Sequence, residues 1–256
     1  MTPAFKGAVT DVSASLNDEY VVASSIDQNK ITLFRTKTNR SIINYIGHTD
    51  TINACKFNWS QKSVISCSDD RTIRHWDMNT AKCKQTNSCP QKIFNIDLSD
   101  SEAILCSTHL KILKFWNTKN EKVVHTIENA HFSNITCARF TPDENYVIST
   151  GHDHMVKVWD CRKWQEIYKP SFEHESYTCP GFTNHTKLAI SPNSQYVVVG
   201  SANGTVFVLD IKKGQWKIDE IYEDQHTDPV VGIEWQPRGS LFATIDRSGG
   251  LYTWKD

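Results

Sequence analysis

A histidine, a serine and an aspartate recur together twice along this sequence of 256 residues. Hydroxyl, imidazole and carboxylate groups are the components of a hydrolase triad, in which the imidazole activates the hydroxyl as a nucleophile. One of the two sets also adjoins His152-Asp153-His154, whose side chains are of the types that bind transition metals. The sets are His48, Ser66 and Asp70, and His131, Ser149 and Asp153. The residue types alone therefore allow two chemistries, hydrolysis and metal binding.

The spacing of these residues argues against both chemistries. In each set the aspartate lies six residues and the serine ten residues before a tryptophan, Trp76 or Trp159. An active site does not normally recur in every repeat, and the sequence has neither a Gly-x-Ser-x-Gly elbow nor a phosphate-cradling glycine-rich loop. Asp153 occupies the turn position of the repeat, so we interpret the flanking histidines as turn residues. We predict no catalytic residue, no metal site and no cofactor.

The tryptophan position recurs every forty or so residues and divides the chain into six units. Each unit contains short runs of alternating apolar and polar residues, separated by turns rich in Asn, Asp, Gly and Pro. This alternation is the signature of strands and turns, and no segment has the period of a long amphipathic helix. The position is occupied by Phe34, Trp76, Trp116, Trp159, Leu209 and Trp254. The sequence therefore predicts an all-β chain of six four-stranded units.

Units of this period, with Gly47-His48 before the first strand and Trp76-Asp77 at the end of the third, resemble WD40 repeats. The resemblance implies a WD40 β-propeller of six recognisable four-stranded blades, with residues 1–256 forming one domain. The last unit ends directly after its third strand. Residues 2–6 are one candidate for its fourth strand, because Pro3 is tolerated on an edge strand. The alternative is that the chain is part of a seven-bladed propeller and lacks the first blade.

The recurring polar residues have a structural role available to them. A buried indole N–H needs an acceptor, and a hydroxyl can accept from tryptophan while it donates to histidine. The histidine then donates its other N–H to the aspartate, so that all four groups are paired. We predict two such structural tetrads: His48, Ser66, Asp70 and Trp76, and His131, Ser149, Asp153 and Trp159.

The other units depart from the tetrad pattern. The third lacks Gly-His and has Cys106 and Leu110 at the serine and aspartate places, counted back from Trp116. The fifth has Val199 and Asn203 at these places. The sixth keeps His226, Thr244 and Trp254, but its acid, Asp246, is displaced by two residues. We expect these units to rely more on packing.

Composition narrows the functional class. The 28 Lys and Arg residues balance 29 Asp and Glu residues, so no overall positive charge points to nucleic acid. No run approaches the roughly 18 apolar residues of a membrane-spanning helix, and the first residues do not resemble a secretion signal. Eight cysteines occur without a Cys-x-x-Cys pair, which is typical of a reducing compartment. We expect a cytoplasmic protein that binds proteins or peptides.

A narrower resemblance comes from the fifth unit. The segments Cys179-Pro180-Gly181-Phe182, Ser191-Pro192-Asn193 and Gly200-Ser201-Ala202-Asn203-Gly204 are similar to the C-terminal repeats of the autophagy-related protein 16 family. The resemblance implies a non-catalytic scaffold in autophagosome assembly or related membrane conjugation. Its implied partners are members of the autophagy conjugation complex, with membrane association only indirect, at autophagosomal precursor membranes. The family's N-terminal coiled coil has no counterpart here, since the chain has no heptads.

Propeller geometry predicts where partners bind. The loops that enter the first strand and those that join the second and third strands lie on one face of a propeller, which we call the loop face. Its mixture of aromatic, Arg and His residues suits peptide recognition. The predicted loop-face residues are Lys6, Gln28, Thr51, Asp69, Arg71, Phe132, His152, His154, Tyr177, Phe182 and Arg247. Two other functions stay open: an adaptor in another complex, such as a ubiquitin ligase substrate receptor, and a propeller hydrolase.

Overall fold

The structure is a computed structural model of the chain. It describes residues 7–15, 17–26, 28–58, 62–168, 187–211, 217–237 and 239–255. These residues form 23 β-strands, and the described ranges contain no α-helix. Accordingly, no helix long and apolar enough to cross a membrane occurs among them. The predicted all-β class is confirmed.

The strands form six sheets, here called blades 1 to 6, and within each sheet the strands neighbour one another in chain order. Blade 1 contains β1 (Val9–Ala14), β2 (Tyr20–Ser25), β3 (Lys30–Arg35) and β4 (Arg40–Ile46). Blade 2 contains β5 (Ile52–Asn58), β6 (Ser63–Ser68), β7 (Thr72–Asp77) and β8 (Cys83–Ser88). Blade 3 contains β9 (Asn95–Leu98), β10 (Ile104–His109), β11 (Ile112–Asn117) and β12 (Val123–Ile127).

The remaining blades continue the pattern. Blade 4 contains β13 (Ile135–Phe140), β14 (Tyr146–Gly151), β15 (Val156–Asp160) and β16 (Gln165–Tyr168). Blade 5 contains β17 (Leu188–Ile190), β18 (Tyr196–Gly200), β19 (Val206–Asp210) and β20 (Lys217–Tyr222). Blade 6 contains β21 (Val230–Trp235), β22 (Leu241–Asp246) and β23 (Leu251–Lys255). The six-blade prediction is confirmed, and blade 6 has three strands within the described residues. Residues 2–6, the predicted fourth strand, lie outside them.

The tight turn between the second and third strands of a blade requires a left-handed residue. Arg71 and His154 take this conformation in blades 2 and 4, with φ of 66° and 61°. Glycine takes it at lower cost in blades 5 and 6, where Gly204 and Gly249 have φ of 90° and 93°. The turn therefore projects a side chain from blades 2 and 4 at the corresponding position.

The first strands carry a second recurring irregularity. In β5 the pairing with β6 shifts between Ile52 and Ala54, and in β13 the pairing with β14 shifts between Ile135 and Cys137. Such a bulge leaves one residue of the strand unpaired and turns its side chain. In β5 the unpaired residue is Asn53, which is buried and reaches the next blade, as described below.

The chain divides into two compact units, Met1–Leu110 with Lys114–Val124, and Lys111–Leu113 with His125–Asp256. In the first unit, Trp76 packs with Leu33 and Tyr45 of blade 1, and Trp116 packs with Ile65 and Ile73 of blade 2. In the second unit, one apolar cluster joins blades 4 and 5 and another joins blades 5 and 6. Apolar faces of consecutive sheets therefore provide the cores of both units.

Candidate functional site

In blade 2 the predicted tetrad residues form one hydrogen-bonded chain. Trp76 Nε1 donates to Ser66 Oγ at 2.8 Å, and Ser66 Oγ lies 2.7 Å from His48 Nε2. His48 Nδ1 lies 2.7 Å from Asp70 Oδ2. If Ser66 donates to Nε2, the Nδ1 proton points at the carboxylate and all four groups are paired. This hydrogen-bonded network ties β7 to β6 and to the loop that enters blade 2.

Asp70 also holds the surrounding backbone. Its carboxylate accepts hydrogen bonds from the backbone N–H of Thr49 at 3.1 Å and from the Thr72 hydroxyl at 2.6 Å. Burial of Asp70 opposes ionisation, but the hydrogen bonds from His48 and Thr72 outweigh it and hold the pKa of Asp70 well below its usual range. Asp70 is therefore a carboxylate anchor for the loops on both sides of it.

Blade 4 repeats this arrangement. Trp159 Nε1 donates to Ser149 Oγ at 2.8 Å, and Ser149 Oγ lies 2.7 Å from His131 Nε2. His131 Nδ1 is 2.9 Å from Asp153 Oδ1, and Asp153 Oδ2 accepts the backbone N–H of Phe132 at 2.8 Å. Burial opposes ionisation of Asp153 as well, but the hydrogen bond from His131 outweighs it and lowers the carboxyl pKa.

Blade 6 corrects the expectation that a displaced acid leaves it to rely on packing. Asp246 Oδ2 lies 2.9 Å from His226 Nδ1, and His226 Nε2 lies 2.7 Å from Thr244 Oγ1. Trp254 Nε1 donates to Thr244 Oγ1 at 2.8 Å. The carboxylate reaches the imidazole from the end of β22 instead of from the turn. A complete tetrad therefore exists with threonine in place of serine.

Blade 3 corrects a second expectation. The count back from Trp116 gives Cys106 and Leu110 at the serine and aspartate places, but Trp116 Nε1 donates to Ser107 Oγ at 2.7 Å. The same hydroxyl lies 2.8 Å from Nε2 of His109, which comes from the same strand, β10. Burial, together with the charge of Lys114, lowers the pKa of His109 to about 3, so the imidazole is neutral. Blade 3 therefore keeps a hydrogen-bonded network of three residues. Its histidine lies on β10 and not on the loop that enters the blade.

Among the described residues, neither the tetrad serines nor the histidines near them have the geometry of a catalytic nucleophile or of a metal site. Ser66 and Ser149 are fully buried, and each hydroxyl already has a tryptophan and a histidine as partners. A nucleophile must reach its substrate, and these hydroxyls do not reach the surface. Within the described ranges, no group of three or more His, Cys, Asp or Glu side chains is arranged to hold a metal ion. His154 is exposed, and its backbone N–H donates to Gly151 O at 3.2 Å, which closes a turn. The backbone N–H of His152 donates to Asn134 O at 2.8 Å.

The first unit carries a charged part of the loop face. Asp69 accepts hydrogen bonds from the buried Asn53 at 2.7 Å and from Lys92 at 2.6 Å. Asn53 also donates to Ile93 O at 2.8 Å, which ties blade 2 to the loop that enters blade 3. Arg71 is exposed. Its backbone N–H donates to Ser68 O at 3.2 Å, and its carbonyl accepts from the backbone N–H of Cys89 at 2.8 Å. Gln28 and Thr51 are half-buried.

The second unit carries an aromatic part of the loop face. The Phe132 side chain is 75% exposed, while its backbone is held by Asp153. Lys157 is buried with its ammonium 5.5 Å from the Phe132 ring centre, and it donates to Ala130 O at 2.5 Å. Arg247 is exposed, and its backbone N–H donates to Pro229 O at 3.0 Å. The predicted face residues Lys6, Tyr177 and Phe182 lie outside the described residues.

Sequence reasoning found His226, Thr244 and Trp254 in blade 6, but it did not predict that the displaced Asp246 completes their tetrad, although a signal was present. The histidine precedes the hydroxyl residue by 18 positions in blades 2, 4 and 6 alike. The same interval supports Thr244 as the hydroxyl residue of blade 6, and Asp246, two residues later, is then the nearest acid. Ser107 was missed because the count back from Trp116 is nine and not ten. Lys157 had no signal, since a lysine two residues before the tryptophan looks like an ordinary exposed strand residue.

Comparison with known proteins agrees with this geometry. A family model described as WD domain, G-beta repeat matches residues 39–77, 121–160 and 175–210. The chain carries WD40 repeats. Its six sheets are thus WD40 β-propeller blades. The matched segment 39–77 contains the tetrad of blade 2, and the matched segment 121–160 contains the tetrad of blade 4.

Relatives with WD40 repeats include proteins of different kinds. Autophagy-related protein 16 of Arabidopsis thaliana is 26% identical over 97% of the chain and 47% of its own length. Protein tipD of Dictyostelium discoideum is 27% identical over 97% of the chain and 40% of its own length. Pre-mRNA-processing factor 17 of Saccharomyces cerevisiae is 24% identical over 81% of the chain and 46% of its own length. The chain spans less than half the length of these relatives.

Proposed function

We propose that this WD40 chain is a non-catalytic platform that binds protein or peptide partners through its loop face. The observation that carries the proposal is the link between the tetrads and the exposed loop residues. Asp70 immediately precedes Arg71, and Asp153 holds the backbone of Phe132 at 2.8 Å. Each buried carboxylate thus fixes the backbone next to an exposed arginine or aromatic side chain. Rigid arginine and aromatic anchors are the side chains that contribute most at protein interfaces.

The finer part of the proposal concerns the process. Autophagy-related protein 16 is among the relatives that cover 97% of the chain, and the Pro180-Gly181-Phe182 segment supports the same assignment. We propose that the chain recruits members of the autophagy conjugation complex in the cytoplasm, at autophagosomal precursor membranes. Its membrane association is then indirect, through those partners.

The test is affinity capture of partners with matched variants. Arg71→Glu and Phe132→Ala remove one anchor from each unit's part of the loop face. Lys119→Glu and Ile167→Ala are the controls, because both residues are exposed on other parts of their blades, in the turn after β11 and on β16. We expect the two loop-face variants to lose partners that both controls keep.

The identity of the captured proteins tests the finer statement separately. Capture of autophagy conjugation proteins through the loop face supports the complete proposal. Capture of ubiquitin ligase subunits instead would support the loop face and reject the autophagy assignment. Retention of every partner by both loop-face variants would reject the loop face itself.

A further inference from the structure

Blade 5 carries the one Asn-Gly pair of the sequence, in the turn between β18 and β19. Asn203 is exposed and occupies the place of the tetrad aspartate, six residues before Leu209. An asparagine side-chain amide can be attacked by the backbone nitrogen of the following residue, and glycine obstructs this attack least because it has no Cβ. The pair therefore meets the first requirement for an intramolecular deamidation.

Two donors converge on the side-chain oxygen of Asn203. The Ser201 hydroxyl donates to Asn203 Oδ1, and the backbone N–H of Thr205 donates to the same oxygen at 3.2 Å. This oxygen becomes negatively charged during the attack, so the two donors stabilise the tetrahedral intermediate as the donors of an oxyanion hole do. The Ser201 hydroxyl is itself held in place, because Ser201 is completely buried and its Oγ accepts from Thr205 N at 3.1 Å.

A second turn of blade 5, between β17 and β18, supplies the comparison. Ser191 Oγ donates to Asn193 Oδ1 at 2.6 Å, and Gln195 N donates to it at 3.0 Å, so this carbonyl has the same two kinds of donor. The following residue, Ser194, has a Cβ, and its backbone N–H is engaged with Ser191 O at 2.9 Å. No described residue accepts a hydrogen bond from the Gly204 N–H. The two turns therefore share the activated carbonyl and differ in the attacking nitrogen.

We infer that Asn203 deamidates in the folded chain, promoted by the donors of its own turn. The Gly204 nitrogen loses its proton to hydroxide and bonds to Asn203 Cγ, the Cγ–Nδ2 bond breaks, and ammonia leaves behind a cyclic succinimide. Water then opens the ring at either carbonyl. Breaking the new Cγ–N bond gives aspartate, and breaking the original peptide C–N bond gives isoaspartate, in which the chain continues through the side chain. The net reaction consumes water and releases ammonia, so it needs no cofactor and no oxidant.

Both products change the loop face, and isoaspartate also changes the packing below it. Either product adds a negative charge at an exposed position of the turn that joins the second and third strands. Isoaspartate lengthens the backbone immediately before Gly204, where there is no room: a Cβ on Gly204, whose φ is 90°, would lie 2.2 Å from His226 O. Because His226 belongs to the blade 6 tetrad, we expect the isoaspartate form to unfold at a lower temperature than the Asn203→Asp variant.

The experiment incubates the whole folded chain in mildly alkaline buffer and follows deamidation by mass spectrometry, as a mass increase of about 1 Da. Asn193 and Asn203 lie in one tryptic peptide, between Lys187 and Lys212, so fragment ions compare them in the same molecule. We expect Asn203 to react at least about tenfold faster than Asn193. Methylation by an isoaspartate-specific methyltransferase identifies the isoaspartate product.

Two serine variants test the role of the turn. Ser201→Ala removes one donor to Asn203 Oδ1 and is expected to slow the reaction at Asn203 about tenfold in the folded chain. Ser191→Ala removes the equivalent donor of the neighbouring turn and is expected to leave the rate at Asn203 unchanged. In denaturant the original chain and Ser201→Ala should react equally, because the turn is then absent.

Three results overturn the inference. The first is reaction of Asn203 in denaturant but not in the folded chain, because the fold would then protect the amide. The second is an equal rate at Asn193 and Asn203 in the folded chain, a comparison that needs no variant. The third is an unchanged rate in Ser201→Ala that circular dichroism shows to be folded, because the turn would then not activate the carbonyl.

Discussion

The indole of Trp254 donates to the hydroxyl of Thr244 at 2.8 Å, the same distance as between Trp76 and Ser66. Threonine therefore replaces serine without a change in the bond, because both offer a hydroxyl on the β-carbon. The equivalence shows that the repeat conserves a donor and acceptor pattern more strictly than it conserves residue types within this chain. Blade 6 therefore has a complete tetrad, although Leu251 on its last described strand is 65% exposed.

The bond between Trp76 and Ser66 can be measured by a double-mutant cycle. Trp76→Phe leaves the buried hydroxyl without its donor, and Ser66→Ala leaves both the indole and His48 without a partner. We expect each change to lower the free energy of unfolding by about 1–3 kcal/mol. The double variant is expected to lose less than the sum, with a coupling energy of about 1 kcal/mol. Chemical denaturation measures all four proteins, and strict additivity would show that the bond between Trp76 and Ser66 contributes no coupling energy.

The acid dependence of stability is expected to depend on Asp246. Hydrogen bonds from His226 and Ser248 lower its pKa to about 2, below the value of about 3.9 for an unfolded aspartate. The stabilisation is therefore present above about pH 4 and is lost as the pH falls toward 2. Asp246→Asn removes this proton uptake, so its denaturation midpoint is expected to change less between pH 4 and 2. An identical profile in the variant and the original chain would contradict the assignment; Asp224→Asn, an exposed acid, is the control.

The sequence predicted the repeat better than it predicted the contacts within it. Period and alternation were sufficient for six blades, because strands and turns are determined locally. The tetrads of blades 2 and 4 could be assembled from spacing alone, since both keep the same intervals. Ser107 and His109 could not, because a turn shorter by one residue changes which side chain faces Trp116. Likewise, only coordinates show that Asn53, which stands unpaired at a bulge, reaches from blade 2 to Ile93 O.

His75 is a polar residue at an apolar position. Its counterparts before the tryptophan are Phe115 in blade 3 and Val158 in blade 4, and all three side chains are buried. Its Nδ1 lies 3.8 Å from Glu121 Oε1, too far for a hydrogen bond. Burial, with a smaller contribution from the charge of Lys84, lowers the pKa of His75 to about 4. The native state therefore keeps a neutral imidazole that the unfolded chain protonates below about pH 6.5.

Replacement of His75 tests this cost. The original chain is expected to lose stability as the pH falls from about 6.5 to 4, because the unfolded state takes up the proton first. His75→Val removes that dependence, so the advantage of the variant should increase to about 3 kcal/mol at pH 4. Denaturation midpoints at several pH values measure it. His125→Val, which replaces a half-buried histidine on β12, serves as the comparison. A parallel shift of both profiles would show that His75 is not the group responsible.

Ser107 connects Trp116 and His109 in the three-residue network of blade 3. Ser107→Ala removes the hydroxyl that accepts from the Trp116 indole and that pairs with His109 Nε2, in a blade that has no Gly-His. Because both orphaned groups are buried, we expect the free energy of unfolding to fall by about 1–3 kcal/mol, as for Ser66→Ala in blade 2. Ser101→Ala, at an exposed serine of the same blade, is the control and should change stability by less than about 0.5 kcal/mol. Ser107→Thr keeps the hydroxyl, as Thr244 does in blade 6, and is expected to restore most of the loss. Equal stability of the alanine and threonine variants would mean that volume, and not the hydroxyl, explains the effect.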